Sequence, residues 1–278
     1  MNTITLPDEL GLASCKAVQG FDYTTSKSVL NQQIILNQNA FSFLLEGTKE
    51  VVSDNSALAI DNSKFILMKS GHCLMTEKIS AVKNYQSVVL FFSNEALLRF
   101  SKKIELKTRE EVKYNSVYSF DYDSFIQGFV NSLQQIFKLS ENVRIKLLEV
   151  KLEEILLYLT NLYGFDFLYS LMLNSDDAAQ KFTRTIESNQ YSRLTVNELA
   201  FLCNMSISKF KREFEKHYAD SPIKWFQNKR LEYAWHLMHQ EQKSASEVFF
   251  KVGYENLSSF IQAYKLKYGV TPKQHHKK

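Results

Sequence analysis

The chain is short of the residues that punctuate, staple or ligate. Its 278 residues include only 8 Gly and 3 Pro. That is too few for a Gly-rich nucleotide-binding architecture, and it excludes a collagen-like chain. Cys15, Cys73 and Cys203 are odd in number and far apart. They form no even disulfide set and no metal-type Cys/His spacing, so a reducing cytosol is the expected compartment. Met1-Asn2-Thr3-Ile4 lacks a basic segment leading into an apolar core, so no signal peptide is expected. Ile155 to Leu173 is strongly apolar, but Asn161, Gly164 and Asp166 interrupt it centrally. A charge near the middle of a lone span is costly, so a buried or self-associating helix is expected there rather than a membrane span.

Globular composition is present. Apolar residues make up 45%, charged residues 23% and aromatic residues 13%, and the length suits two domains. The net charge of +4 is unevenly divided. Residues 178–278 hold 17 Lys and Arg against 9 Asp and Glu, while residues 1–177 hold 17 against 21. A basic C-terminal third on an acidic remainder points to a polyanion as partner of that third.

Residues 20–95 read as short strands: 29–36, 41–45, 49–52, 58–60, 65–68 and 87–92. They are rich in β-branched, aromatic and aliphatic residues. Turn signals such as Glu46-Gly47, Asp61-Asn62-Ser63 and Ser70-Gly71 separate them. Many short strands at close spacing suggest a small barrel or double sheet, either filled by side chains or enclosing a ligand. A metal-binding barrel needs several His with a carboxylate, and this region has one, His72. It follows Ser70-Gly71 and is expected on a turn. No Ser/His/Asp set or phosphate loop is evident, and Glu110-Glu111 and Glu153-Glu154 are adjacent pairs that point apart. No enzyme, metal or cofactor is expected.

From about Asp121 the period becomes helical. Phe125, Phe129, Leu133, Ile136 and Phe137 mark one amphipathic helix. A second, from about Glu141 to Tyr163, carries Ile145, Leu148, Leu152, Ile155, Leu159 and Leu162 at spacings of 3 and 4. Such a seam either packs on the chain's own barrel or forms a dimerisation helix, and at fewer than three heptads both remain open.

The basic third contains a repeat. Phe210, Phe214, Tyr218 and Ser221-Pro222 recur 50 residues later as Phe260, Tyr264, Tyr268 and Thr271-Pro272. Ahead of each unit stands a capping box, Thr195-Val196-Asn197-Glu198 and Ser244-Ala245-Ser246-Glu247. Short turns follow, and Ser206 and Asn256 cap the next helices. Helix, short turn, helix is the arrangement whose second helix enters the DNA major groove. A long helix from Pro222 to about Met238 separates the two units and suits successive grooves about 34 Å apart. In the first recognition helix Ser206, Ser208, Lys209, Lys211 and Arg212 are the candidate DNA contacts. Arg or Lys reaches guanine O6/N7, and Ser meets a base edge or a phosphate. In the second helix the candidates are Leu257, Ser258, Ser259, Gln262 and Lys265. Gln pairs with adenine and Leu meets a thymine methyl.

These residues resemble the AraC/XylS family of bacterial transcription regulators. The resemblance rests on Leu199-Ala200, Met205-Ser206, Phe210-Lys211-Arg212-Glu213-Phe214, Ser221-Pro222, Arg230-Leu231, Ala234, Val252-Gly253-Tyr254, Ser258, Phe260, Tyr264-Lys265, Tyr268-Gly269 and Thr271-Pro272. It covers residues 178–275; the N-terminal half matches in outline only. It implies base contacts from Ser208, Lys211 and Arg212, with auxiliary contacts from Leu257, Ser258 and Gln262. Ala219 stands where the first unit usually has Gly, Phe249 where the second usually has Ala, and Gln262 replaces the usual Arg. The first unit is therefore expected to dominate affinity. His275-His276 and the last two lysines read as a frayed basic tail.

The resemblance implies an α+β chain. Residues 1–104 would be a cupin-like β-barrel for sensing, residues 105–176 a helical linker and dimerisation segment, and residues 177–278 an all-α DNA-binding domain with two helix-turn-helix units joined by a long helix. The implied partners are double-stranded promoter DNA, RNA polymerase, a second copy of the chain, and a small-molecule effector or protein regulator. Phe41, Phe43, Phe65 and Phe91 are candidates for an apolar effector pocket and suit plain core equally.

Overall fold

A computed structural model describes residues 3–12, 16–104, 114–173 and 178–275. Cys15 and His276 lie outside them. The chain divides into two units, Met1–Lys181 and Phe182–Lys278.

In the first unit the strands are β1 (Ile4–Leu6), β2 (Val18–Thr25), β3 (Val29–Leu36), β4 (Asn39–Glu46), β5 (Thr48–Val52), β6 (Ala57–Ile60), β7 (Lys64–Met68), β8 (Gly71–Lys78), β9 (Tyr85–Phe92) and β10 (Val117–Asp121). They form two five-stranded sheets, ordered β1-β3-β8-β5-β6 and β10-β7-β4-β9-β2. The two sheets share a buried cluster that includes Ile34, Leu36 and Met75 from the first and Leu44, Ile66 and Phe91 from the second. Among the described residues no ladder joins one sheet to the other, so the expected barrel is a pair of facing sheets with unjoined edges. The helices of this unit are α1 (Asn94–Lys103), α2 (Ser124–Ile136), α3 (Glu141–Tyr163) and α4 (Phe165–Met172). They cover the outer face of the second sheet, which is why β4 is buried along most of its length: a strand covered on both faces loses the polar alternate positions.

Strand parity then sorts the side chains. Phe41, Phe43, Phe65, Val88, Leu90 and Phe92 face the helices with Phe129 and Leu133, and Phe43 stands 5.1 Å from Phe65 and 5.5 Å from Phe129, ring to ring. Ser87, Val89 and Phe91 face the other sheet, where they line a cavity of about 230 Å³. Of the four phenylalanines expected at an effector pocket, only Phe91 reaches that cavity. Phe41, Phe43 and Phe65 are core, because they sit on the opposite face of the same sheet.

Several expectations change. His72 is not on a turn; it is the second residue of β8, paired with Ile35. Strands β1, β2, β8 and β10 have no counterpart among the expected ones, and β10 lies within 105–176, a segment expected to be helical. The helix α3 has the expected bounds, but its seam is not free. Leu148, Leu152, Ile155 and Leu159 are fully buried in their own unit's core, Ile145 is half-buried, and Leu162 is exposed. Gly20 makes this packing possible, since a Cβ there would stand 2.5 Å from the Phe137 ring and 3.3 Å from Leu148. The apolar run 155–173 breaks at Gly164, φ 78°, between α3 and α4. Among the described residues no helix is long and apolar enough to cross a membrane.

The second unit begins with the end of α5 (Ala178–Ser188). It continues with α6 (Val196–Leu202), α7 (Ile207–Tyr218), α8 (Pro222–His239), α9 (Ala245–Val248), α10 (Leu257–Tyr268) and α11 (Pro272–His275). It holds two aromatic-rich clusters that share α8. One packs Phe182, Phe210, Phe214 and Phe226, and the other packs Leu231, Ala234, Met238, Phe260 and Tyr264. His275 is not frayed. Its Nδ1 lies 2.9 Å from the Tyr264 hydroxyl, and its ring packs against His239 and Tyr268.

Candidate nucleic-acid interface

Each helix-turn-helix unit is set by local chemistry. Thr195 and Glu198 form a reciprocal capping box that starts α6, with Glu198 accepting from Thr195 N–H at 2.7 Å and donating its own N–H to Thr195 Oγ1. Asn204 then takes a left-handed backbone, φ 55°, and turns the chain into α7. Ser206 caps α7 by accepting from Lys209 N–H at 3.3 Å. The second unit repeats this with Ser244 and Glu247 before α9, and Asn256 caps α10 by accepting from Ser259 N–H at 2.8 Å. Its turn uses Gly253 at φ 87°, where a Cβ would meet Arg193 at 3.1 Å and Arg230 at 3.4 Å. Helix α9 is short, ending at Val248.

Helix α7 is fixed through one face. Phe210 and Phe214 are fully buried, with Phe182 5.6 Å from Phe210 and Trp225 5.5 Å from Phe214, centroid to centroid. Four residues apart, they place Ser208, Lys211 and Arg212 outward. Ser206, Ser208, Lys209, Lys211 and Arg212 are all exposed. None of the three cations belongs to a salt bridge among the described residues. Other lysines of the unit are engaged: Lys267 with Asn228 O and Glu232, Lys224 with Asp220, Lys243 with Glu241. An anion approaching the α7 cations would break no existing salt bridge.

Helix α10 is anchored likewise by Phe260 and Tyr264, both fully buried. Ser258, Ser259, Gln262 and Lys265 are exposed. Leu257 is half-buried against the second cluster. The exposed apolar residue on this face is Leu266, 88% exposed and four residues beyond Gln262; sequence reasoning misses it. The 50-residue repeat sets Lys211 against half-buried Ile261 and Arg212 against Gln262. Among the described residues the second helix therefore presents one free cation, Lys265, where the first presents four, Lys209, Lys211, Arg212 and Lys216.

The helix that joins the units, α8, runs for 18 residues, or about 27 Å. Ser221 stands at its N-cap position with Pro222 inside its first turn, which suits the missing N–H of Pro. Ala219 closes α7 in the left-handed region, φ 53° and ψ 25°, a conformation that favours Gly.

Comparison with known proteins bears on both units. A family model described as the ExsA N-terminal regulatory domain matches residues 39–169, and a helix-turn-helix domain matches residues 199–278. The thermoregulatory protein LcrF of Yersinia pestis is 22% identical over 86% of this chain and 89% of its own. The virulence regulon transcriptional activator VirF of Yersinia enterocolitica is 24% identical over 66% of this chain and 68% of its own. The regulator ExsA of Pseudomonas aeruginosa is 20% identical over 82% of each. Two capped helix-turn-helix units on a shared connector, the matched regulatory domain before them, and relatives that are transcription regulators agree: this chain belongs to the AraC/XylS family of transcription regulators.

Proposed function

We propose that the chain is a cytoplasmic activator that binds promoter DNA as a homodimer and acts on RNA polymerase, with its N-terminal double sheet serving as a cupin-like sensor. The observation that carries the DNA-reading part is the trio Lys209, Lys211 and Arg212, exposed and unpaired on a helix locked from behind by Phe210 and Phe214. Arg212 and Lys211 contact bases or adjacent phosphates, Ser206, Ser208 and Lys209 contact the backbone, and α10 adds Ser258, Ser259, Gln262 and Lys265. The activator role follows VirF, which is named a transcriptional activator.

The dimer contact moves to the other side of α3. Opposite its buried seam runs a second apolar stripe, Val143, Val150 and Leu157, 47%, 60% and 53% exposed at spacings of seven. A helix apolar on two opposite sides requires cover on both. A second copy supplies it: an antiparallel crossing centred on Val150 sets Val143 against Leu157 and Lys146 against Glu154, apolar to apolar and cation to anion.

The test is transcription in vitro from a promoter fragment that the protein retains in a selection from random DNA. Added protein is expected to raise transcript, and Arg212→Ala is expected to lose that gain. Bound promoter with unchanged or reduced transcript refutes the activator role. Equal affinity for selected and scrambled duplex refutes sequence-specific reading.

A further inference from the structure

The inter-sheet cavity of about 230 Å³ is lined mostly by apolar side chains, among them Ile34, Leu36, Met75, Val89 and Phe91. Its polar lining consists of Glu9, Tyr23 and Gln32, which are exposed or half-buried, and of two buried features. Lys49 and Glu77 form a buried ion pair at 2.9 Å, the Lys side chain 3% exposed and the Glu 10%. Ser87, wholly buried, also lines the cavity, and no hydrogen bond of ordinary geometry reaches its Oγ, although the Tyr85 hydroxyl lies close to it.

The ion pair decides what charge the cavity tolerates. A Lys ammonium has three donors. Lys49 gives all three away, to Glu77 Oε1 at 2.9 Å, Ser42 Oγ at 3.2 Å and Tyr85 Oη at 3.3 Å. An incoming carboxylate finds no free donor on Lys49 and meets the Glu77 charge, so only neutral donors such as the Ser87 hydroxyl are left to compensate its burial. An incoming cation meets Lys49 and an acid already neutralised. A neutral molecule avoids both costs, and a hydroxyl group on it gives Ser87 Oγ, which has only the Tyr85 hydroxyl close by, a well-aligned partner. Size follows from volume. An apolar void of about 150 Å³ takes up benzene, so this one takes about nine heavy atoms.

We infer that the cavity between the two sheets binds a neutral, predominantly apolar molecule of medium length bearing one hydroxyl or carbonyl, held at Ser87, and that it rejects the corresponding carboxylate. The inference rests on the reading of the N-terminal unit as a sensor and assigns that sensor a ligand class.

The experiment is calorimetric titration of the full-length protein near pH 7.5 with 1-octanol and, separately, with octanoate. Octanol is expected to bind at least about 10-fold more tightly. Ser87→Val is expected to weaken octanol several-fold, and Val89→Phe, which fills the space, to abolish it. Glu77→Gln leaves Lys49 with an unopposed charge and is expected to reverse the preference toward octanoate. Octanoate binding to the natural protein as tightly as octanol overturns the neutral class while leaving a sensor cavity standing. Octanol binding that survives Val89→Phe places the ligand elsewhere and overturns the site. Binding of neither probe overturns the sensor cavity itself. Should Glu77→Gln fail to fold, the comparison of the two probes on the natural protein decides alone.

Discussion

The ranking of the two recognition helices can be tested through Arg212 and Lys211. Both are exposed and free of salt bridges, so alanine there changes fold stability by no more than about 0.5 kcal/mol. The effect on DNA is larger. A bidentate guanine contact from Arg212 is worth about 1–3 kcal/mol, which is about 5- to 150-fold in affinity. Without the Lys211 ammonium on a phosphate, the slope of log K against log salt becomes shallower by about 0.9. Gln262 has no charge to release, so Gln262→Ala is expected to leave the salt slope unchanged. The assay is fluorescence anisotropy of a labelled promoter duplex and a scrambled duplex, titrated between about 50 and 200 mM salt. Arg212→Ala should weaken promoter binding more than scrambled binding, and Lys211→Ala should weaken both and flatten the salt dependence. If both variants bind promoter within twofold of the natural protein while Gln262→Ala abolishes binding, the assignment of the dominant helix is refuted.

The α3 dimer separates from the α3 core by choice of face. Val150→Glu with Leu157→Glu should halve the mass in light scattering with circular dichroism unchanged, whereas Leu152→Glu buries a charge at a 2%-exposed position and should unfold the first unit; an unaltered mass for the first variant refutes the stripe. Ala219→Gly relieves a left-handed alanine and should stabilise the second unit by about 0.5–1 kcal/mol, read as a rise of a few degrees in its melting midpoint; a fall would contradict the strain. Burial, and then the charge of Lys181, lower the His72 pKa from its usual 6.5 to about 4. The unfolded chain therefore takes up this proton first, and the stability contributed by neutral His72 is present above pH 6.5 and lost as pH falls toward 4. Hydrogen-exchange protection in peptides spanning β8, corrected for the intrinsic pH dependence of amide exchange, should fall over that range, and less so in His72→Gln; identical profiles would refute the contribution.

The second unit is the more legible half because its signals are local. Capping boxes, a helix-starting proline and a 50-residue aromatic repeat fix helix starts and faces within a few residues of chain. The half-burial of Leu257 is not legible, because a position near a helix start does not reveal whether the neighbouring cluster reaches over it. In the first unit the period of two is visible in several strands, but which parity meets the helices and which meets the other sheet depends on how the sheets stack. Phe41, Phe43 and Phe65 cannot be told from Phe91 by sequence for that reason. The buried Lys49 has a usable signal: it shares parity with Val51, wholly buried, whereas its neighbours Thr48 and Glu50 are exposed. The α3 seam is plain in its spacing, and the second stripe of Val and Leu on the opposite side is easily overlooked beside it.

Strand β9 faces two interiors at once. Ser87, Val89 and Phe91 look onto the cavity, and Val88, Leu90 and Phe92 look onto the helical layer in which α3 is embedded. Close-packed interiors resist compression and pass displacement on to their neighbours. The strand is therefore a shared diaphragm: a guest that bows it by a fraction of an ångström must be accommodated among the side chains beneath α2 and α3. A change in what fills the space between the sheets can be felt along the helix that carries Val143, Val150 and Leu157, with no hinge and no moving loop.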